Sequence, residues 1–208
     1  MELQFYGANC VVMTYKGVRL VFDDNLAQLG GKSVSRPGDV VLFTGRPHAD
    51  ASKDAKLMID MAGEYEVGDV SITGIGAKLH IDEKEKNGTM YRIQAGDTTL
   101  LVTGHIAADL TESQLERIGM VDVMVVPVGG HGYTLDPIGA LKVIKAVEPK
   151  LAVPTYYADK ALKFEVPATD LASALHDLGM EPRETVSKLK VKPADLSDIT
   201  QLVVLEKS

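Results

Sequence analysis

Short apolar runs with two-residue alternation dominate the first half of the chain and predict β-strands. The first three runs, at 3–6, 11–15 and 18–22, are joined by short polar segments such as Lys16-Gly17, a pattern typical of an antiparallel meander. Further strands are predicted at 40–43, within 63–69, at 70–75, at 90–93 and at 98–102. We therefore expect the first half to be built mainly of sheet.

The second half changes period, because strands now alternate with helices. The capping-box order Thr111 to Gln114 predicts a helix over 112–118 that ends at Gly119. Asp136-Pro137 starts a second helix, and a third has Leu at 171, 175 and 178 and stops at Gly179. Buried strands at 121–127 and 151–153 lie between them, and extended segments at 185–191 and 201–205 follow. This order of elements predicts a layered α/β protein.

Length and composition indicate one soluble globular domain. No Pro/Gly/Ser-rich linker divides the 208 residues, so we expect a single domain over 1–208. An apolar fraction of 45% with 25% charged residues excludes disordered and fibrous classes. The sequence has no run of 18 apolar residues and no secretory signal pattern at its start, and it has one cysteine, Cys10. These features predict a cytoplasmic protein with no membrane partner.

The charge distribution excludes nucleic acid as a partner. The 22 Lys and Arg residues are outnumbered by 29 Asp and Glu residues, which gives a net charge of −7. Binding to phosphate backbones depends on clustered cations. The one basic stripe, Lys188, Lys190 and Lys192, lies on one face of a predicted strand, where protection of a sheet edge explains it at least as well.

The candidate catalytic segment is the loop at 44–51, which follows the apolar run at 40–43. His48 and Asp50 are two residues apart with a small residue between them, so a turn can point both side chains into one cleft. The pair alone is a weak signal, since a solvated His in a polar loop has the same appearance.

Other segments of the sequence support a functional role for this loop. They are Tyr6-Gly7, Phe22-Asp23, 63–67 with 72–75, 127–130 with 133–136, and 149–154. Together with the loop, in this order and nearly from end to end, they resemble the metallo-β-lactamase superfamily, in particular a small branch similar to the ascorbate-6-phosphate lactonases and Zn-dependent hydrolase-like proteins. The resemblance implies a four-layer αβ/βα sandwich with an active site at the sheet edges that holds one or two divalent metals.

The metal motif of that family, His-x-His-x-Asp-His, matches 46–51 only in part. His48 and Asp50 are retained, whereas Arg46 and Ala51 replace two histidine ligands. A further histidine ligand expected after the strand at 70–75 is matched by His80.

Three more family positions have changed. The bridging aspartate falls on His105, the histidine of Pro-x-His-Tyr falls on Tyr156, and a histidine after the first strand falls on Ala8. A permanent cation at Arg46 occupies the place of a metal charge, and a guanidinium cannot activate water as zinc does. The resemblance therefore implies a degenerate metal site without a dinuclear centre.

Three arrangements of the remaining residues stay open. His48, Asp50, His80 and His105 have enough donors for one zinc or manganese ion. Alternatively, the histidines are hydrogen-bonding remnants around Arg46 and Tyr156, and no metal binds. In the third arrangement the chemistry is metal-free, with His48 or His105 as the base, Asp50 orienting it and Tyr156 donating to an oxyanion.

Two functions are consistent with these arrangements. The first is a lactonase-like or esterase-like hydrolase that acts on a small anionic or phosphorylated molecule held by Arg46 and by the turn with Gly130 and His131. The second is a binding or scaffold protein, a pseudoenzyme that keeps the fold without turnover. The oligomers of relatives add a weak expectation of a homo-oligomer. We also expect Gly129, Gly130 and Gly63 to bring the backbone close to the cleft, where a Cβ would intrude.

Overall fold

The computed structural model describes residues 1–45, 47, 54–81 and 88–208. Two β-sheets pack face to face, with helices outside the second sheet. The first sheet has the strand order β13-β1-β2-β3-β4-β5, and the second has the order β12-β14-β11-β10-β9-β8-β7-β6. This arrangement confirms the predicted α/β class and the two central sheets.

The elements follow the hydrophobic pattern closely. The strands of the first sheet are β1 (Glu2–Gly7), β2 (Cys10–Tyr15), β3 (Val18–Phe22), β4 (Val40–Leu42), β5 (Leu57–Ile59) and β13 (Leu189–Lys190). Those of the second sheet are β6 (Gly63–Val67), β7 (Val70–Ala77), β8 (Gly88–Ala95), β9 (Thr98–Val102), β10 (Val123–Pro127), β11 (Leu151–Thr155), β12 (Pro182–Val186) and β14 (Gln201–Leu205). The helices are α1 (Glu112–Ile118), α2 (Pro137–Val147) and α3 (Leu171–Leu178).

Strand direction follows from the connections. β1, β2 and β3 form the predicted antiparallel meander, and β6 to β9 form another in the second sheet. α1 connects β9 to β10 and α2 connects β10 to β11, so these three strands are parallel, as strands joined by a crossover must be.

Alternation along the strands creates separate apolar layers. In β2, Val11 and Met13 pack into the core between the sheets, whereas Cys10 and Val12 pack on the outer face of the first sheet. The helices cover the outer face of the second sheet, as the predicted sandwich requires. Over the first sheet the described covering is not helical: it comes from segments around Leu26 and Leu162.

Candidate active site

A cavity of about 300 Å³ opens where several strands end at one edge of the two sheets. Ala8 follows β1, Asp23 follows β3 and Tyr156 follows β11. The complete lining among the described residues, which we call the site cavity, is Ala8, Asn9, Asp23, Asn25, Gln28, Leu29, Pro47, His105, Tyr133, Tyr156 and Glu165. One part of the lining is aromatic, and the remainder is mostly amide and carboxylate.

His105 is a partly buried, neutral imidazole in this lining. Burial, with a smaller contribution from the nearby His80, lowers the pKa of His105 from 6.5 to about 4. Its Nδ1 atom is buried and has no hydrogen-bond partner among the described residues. The chain around it is fixed, because the backbone N–H of His80 donates to the carbonyl oxygen of His105 at 2.8 Å. A buried polar atom without a partner at a cavity is a candidate ligand contact.

Two tyrosines hold the His105 ring. Tyr133 and Tyr156 are stacked, with centroids 5.4 Å apart, and His105 is edge-on to both, 5.1 Å from Tyr133 and 4.7 Å from Tyr156. Phe164 packs edge-on against Tyr156 from another direction. Burial raises the pKa of Tyr156 far above its ordinary value. Its phenol therefore stays protonated at neutral pH and can donate a hydrogen bond.

Asp23 is the centre of a buried polar network. Its carboxylate accepts from the backbone N–H and the hydroxyl of Thr44, both at 2.7 Å, and from the Asn9 amide at 2.6 Å. Thr155 in turn donates to the Asn9 side-chain oxygen at 2.6 Å. Burial raises the pKa of Asp23 to about 6, although the hydrogen bonds from Thr44 and Asn9 oppose the increase. The network thus ties β1, β3, β4 and β11 together beneath the cavity.

The backbone at this edge is strained. Ala8, Asp23 and Tyr156 have φ angles of 48°, 48° and 54°, in the left-handed region that residues other than glycine seldom adopt. The Tyr156 N–H donates to the Ala8 carbonyl at 2.7 Å, which joins the two sheets at the cavity. Gly129 allows this approach, since a Cβ there would lie 2.1 Å from the Tyr156 carbonyl oxygen. Such outliers cluster at functional sites.

The structure brings together part of the set predicted from the sequence. His105 and Tyr156 line the site cavity, and His80 lies next to His105. Arg46, His48 and Asp50 lie outside the described residues, as does Ala51. Their roles therefore remain predictions.

Gly130 and His131 lie in the turn that leads to Tyr133, but neither lines the site cavity. A Cβ on Gly130 would be 3.1 Å from the Cβ of Asp136, so this glycine serves the packing of the turn against the start of α2. His131 is exposed. At Gly63, a Cβ would meet the Tyr65 hydroxyl at 2.9 Å. Of the three glycines singled out in the sequence, Gly129 is the one whose close contact is with a residue of the site cavity.

Sequence patterns did not identify several lining residues as part of the site. They are Asn9, Asn25, Gln28, Tyr133 and Glu165. Asn9 follows the Tyr6-Gly7 motif directly, so proximity to that motif was an available signal. Glu165 lies in a loop with no local pattern that points to a site. Asp23 lies in a polar cluster after a strand, where a carboxylate can either cap a turn or reach a cleft. In the structure Asp23 lines the cavity, and its neighbour Asp24 caps the turn by accepting hydrogen bonds from Ser33, Val34 and Ser35.

The described residues do not by themselves form a metal site. No group of three or more His, Cys, Asp or Glu side chains within 1–45, 47, 54–81 and 88–208 is placed to hold a metal ion. His105 offers one unpaired neutral nitrogen, whereas the oxygens of Asp23 are already engaged by Asn9 and Thr44. The fit to one metal therefore depends on His48 and Asp50.

Comparison with known proteins identifies the family. A model described as the Beta-lactamase superfamily domain matches residues 2–156. The chain belongs to this family. Among solved structures, this β-lactamase-superfamily chain is similar to a protein described as a Zn-dependent hydrolase of the metallo-beta-lactamase superfamily from Thermotoga maritima. The two share 23% identity and a TM-score of 0.76 over 98% of this chain and 97% of that one.

Two further proteins are similar to this chain. Igni18, a metallo hydrolase from Ignicoccus hospitalis, has a TM-score of 0.64 at 17% identity, covering 99% of this chain and 95% of its own. Likenesses at this identity show the fold. A UPF0173 metal-dependent hydrolase of Anaeromyxobacter sp. (strain K) is 34% identical over 133 residues, 58% of this chain and 46% of the relative. The chain thus spans about half the length of this curated relative, whose name is consistent with a divalent metal in the family.

No helix in the described part of the chain is long and apolar enough to cross a membrane.

Proposed function

We propose that this chain binds a small polar molecule in the site cavity and forms no dinuclear metal centre. The observation that carries the proposal is that His105 and Tyr156 line the site cavity, because these two residues stand where the family has a bridging aspartate and a histidine ligand. Burial keeps the imidazole unprotonated at neutral pH and the phenol protonated. Neither side chain supplies negative charge to the cavity.

Negative charge is what a two-metal site requires. Two dications a few ångströms apart repel each other strongly unless an anionic group bridges them. Asp23, a lining carboxylate, accepts three hydrogen bonds that hold it in the strand-end network. It is a structural acceptor and not a replacement for the missing bridge.

The lining indicates the chemistry of the ligand. Gln28 and Glu165 carry hydrogen-bonding groups and line the same cavity as the tyrosine rings, which suits a small molecule with several polar groups and one flat or apolar face. The described lining contains two carboxylates, Asp23 and Glu165, and no cation. An anionic group on the ligand, phosphate or carboxylate, would therefore depend on Arg46.

The pKa of His105 favours binding over metal-free catalysis. A general base is most effective when its pKa lies near the working pH. With a pKa of about 4, His105 is a weak base at pH 7 but a good hydrogen-bond partner through Nδ1. Tyr156 acts as a donor beside it.

A hydrolase with one metal is the second candidate. It is favoured by the same unpaired Nδ1 atom, because metals bind the neutral imidazole. His105 would be one ligand, with His48, Asp50 and His80 as the others expected from the sequence. A bound zinc or manganese ion supplies a water of lowered pKa. His105 would then hold the ion and Tyr156 would orient the substrate by a hydrogen bond.

Metal analysis separates these candidates. Protein purified without chelator is analysed for metal, and zinc and manganese titrations are followed by calorimetry for the wild type and His105→Gln. No tight site supports the binding protein. One site that is lost in His105→Gln supports the mononuclear hydrolase. Two tight sites in the wild type would refute both.

Ligand binding is tested by thermal shift with inorganic phosphate, a phosphate monoester and a carboxylate of similar size. Tyr156→Phe and Arg46→Gln are each expected to weaken the binding of these anions. Tyr65→Phe is the matched control, because this hydroxyl bonds the Met61 carbonyl away from the cavity. Equal binding by wild type and Tyr156→Phe would count against the site cavity as the binding site.

A further inference from the structure

The free edges of the two sheets differ in their protection against pairing with another chain. At the edges of the second sheet, β6 presents the exposed Glu64 and Glu66, and β12 begins with Pro182 and Arg183. The two-residue β13 at one edge of the first sheet carries Lys190, and Lys188 directly precedes this strand. Charged side chains, proline and short length are the usual means of preventing edge-to-edge association.

The remaining edge, β5, is also short, with three residues, but it contains no charged side chain and no proline. Leu57 and Met58 are 41% and 48% exposed, and Met61 just beyond the strand is 63% exposed. β5 is the last strand of the first sheet in the described part of the chain. An exposed apolar edge strand is a template for a further strand.

The hydrogen bonds of β5 show which of its backbone groups are available. The Leu57 N–H donates to Asp39, and the Ile59 carbonyl accepts from Phe43, so these two residues face β4. Because backbone direction alternates along a strand, the N–H and carbonyl of Met58 point to the free side. The Lys56 N–H also donates to the Asp39 carbonyl, at 2.9 Å, so within β5 Met58 is the residue whose backbone groups are available.

The sequence around β5 is complementary to itself. It reads Lys56-Leu57-Met58-Ile59-Asp60, with a base and an acid at equal distances from Met58. In an antiparallel pair of two such strands centred on Met58, each Lys56 lies opposite the Asp60 of the other copy. This register uses the available backbone groups of Met58 and also places opposite charges face to face.

We propose that β5 pairs with β5 of a second copy of this chain, antiparallel and centred on Met58, so that the first sheets of two molecules become one continuous sheet. Two main-chain hydrogen bonds form between the Met58 residues across the two-fold axis, and a Lys56–Asp60 ion pair lies on each side of them. Lys56 and Asp60 form no ion pair within the described part of the chain, and both are exposed. The proposal does not rest on the function of the site cavity.

The size of the contact sets its strength. A pair of three-residue strands, with Leu57, Met58 and Met61 as its exposed apolar side chains, is a small interface, in the class that gives reversible, concentration-dependent dimers. Like charges placed directly opposite each other destabilise a strand pair. In a two-fold symmetric dimer each substitution is present in both strands. Single substitutions should therefore have a large effect on dimerisation.

The test is sedimentation equilibrium of the full chain over a wide concentration range. The wild type is expected to dimerise reversibly. Met58→Lys places two ammonium groups opposite each other and should weaken the dimer by about tenfold or more. Met120→Lys is the matched control, since Met120 is 91% exposed and lies between α1 and β10, so it should dimerise like the wild type.

A charge-exchange series fixes the register. Lys56→Asp and Asp60→Lys should each weaken the dimer, and the double variant should restore it, because each new Asp then faces a new Lys. Circular dichroism and melting curves verify that each variant is folded. A wild type that stays monomeric at the highest concentration overturns the proposal. So does a dimer that Met58→Lys leaves unchanged, or a double variant no stronger than the weaker single one.

Discussion

Thr44 donates two hydrogen bonds to Asp23, one from its backbone N–H and one from its hydroxyl, each 2.7 Å long. The pair connects the end of β4 to the end of β3 at the start of the candidate catalytic loop. Because Asp23 is buried, the loop that follows Thr44 begins from a position fixed by a charge-assisted network.

Thr44→Val should lower the free energy of unfolding by about 1–3 kcal/mol, since it removes a hydroxyl donor from a buried carboxylate without changing shape. Urea unfolding at pH 7 measures the change. Thr134→Val is the matched control: the Thr134 hydroxyl is also buried but has no partner among the described residues, so its removal should be neutral or stabilising. Equal losses in the two variants would show that the Asp23 contact contributes nothing specific.

His105 should make stability depend on pH. Its pKa falls from 6.5 to about 4 on folding, so its contribution is fully present above pH 6.5 and is lost as the pH falls toward 4. The unfolding free energy of the wild type, measured relative to His105→Gln, should decrease by about 3 kcal/mol between pH 7 and pH 4. Urea titrations at four pH values test this. His176→Gln is the control, because His176 is exposed, and a constant difference in His105→Gln would contradict a neutral buried imidazole.

Asp23 should make the free energy of unfolding depend on pH in the opposite direction to His105. Burial raises its pKa from 3.8 to about 6, so the folded state binds the proton more tightly and the cost of the buried charge is relieved as the pH falls from 6 to 4. Relative to Asp23→Asn, the wild type should gain about 2 kcal/mol over that range. Together with His105, this makes the intact protein less sensitive to pH between 4 and 6 than either variant. A relative loss of stability at low pH would show that the sign is wrong.

Gly104→Ala should destabilise the protein by more than 3 kcal/mol or prevent folding, because a Cβ would lie 2.1 Å from the Thr44 hydroxyl oxygen. Gly132→Ala separates this clash from backbone strain. Gly132 also has a positive φ, 75° against 65° for Gly104, but a Cβ there meets nothing within 4 Å. Its cost should be about 1–2 kcal/mol, the strain of the left-handed conformation alone. Similar melting temperatures for the two variants would refute the steric explanation.

Restoring family ligands should restore metal binding. We expect the wild type to bind at most one metal and Arg46→His with Ala51→His to bind zinc more tightly, because the double variant removes a fixed cation and adds two imidazoles. Zinc titration by calorimetry, with metal analysis of both proteins, is the measurement. No gain in the double variant, or two tight metals in the wild type, would overturn the prediction of a degenerate site.

The sequence by itself determined the fold class and most element positions. Alternation and capping signals placed helix α1 at 112–118 and strand β14 at 201–205, where the structure has them. These signals are local: a capping box or a two-residue period lies within a few neighbouring positions. Strand β5 was missed because three residues are too few for a period, and its place beside β4 depends on a tertiary contact.

The site was determined only in part by the sequence. Motif order identified His105 and Tyr156 as changed family positions, but their neutral states depend on tertiary packing that no local pattern encodes. Both rings contact Tyr133, and Phe164 packs against Tyr156. The roles of Asp23 and Asn9 likewise exist only once four strand ends meet. Residue type sets what a side chain can do, whereas its pKa and its partners are set by solvent exclusion and by distances between residues far apart in the chain.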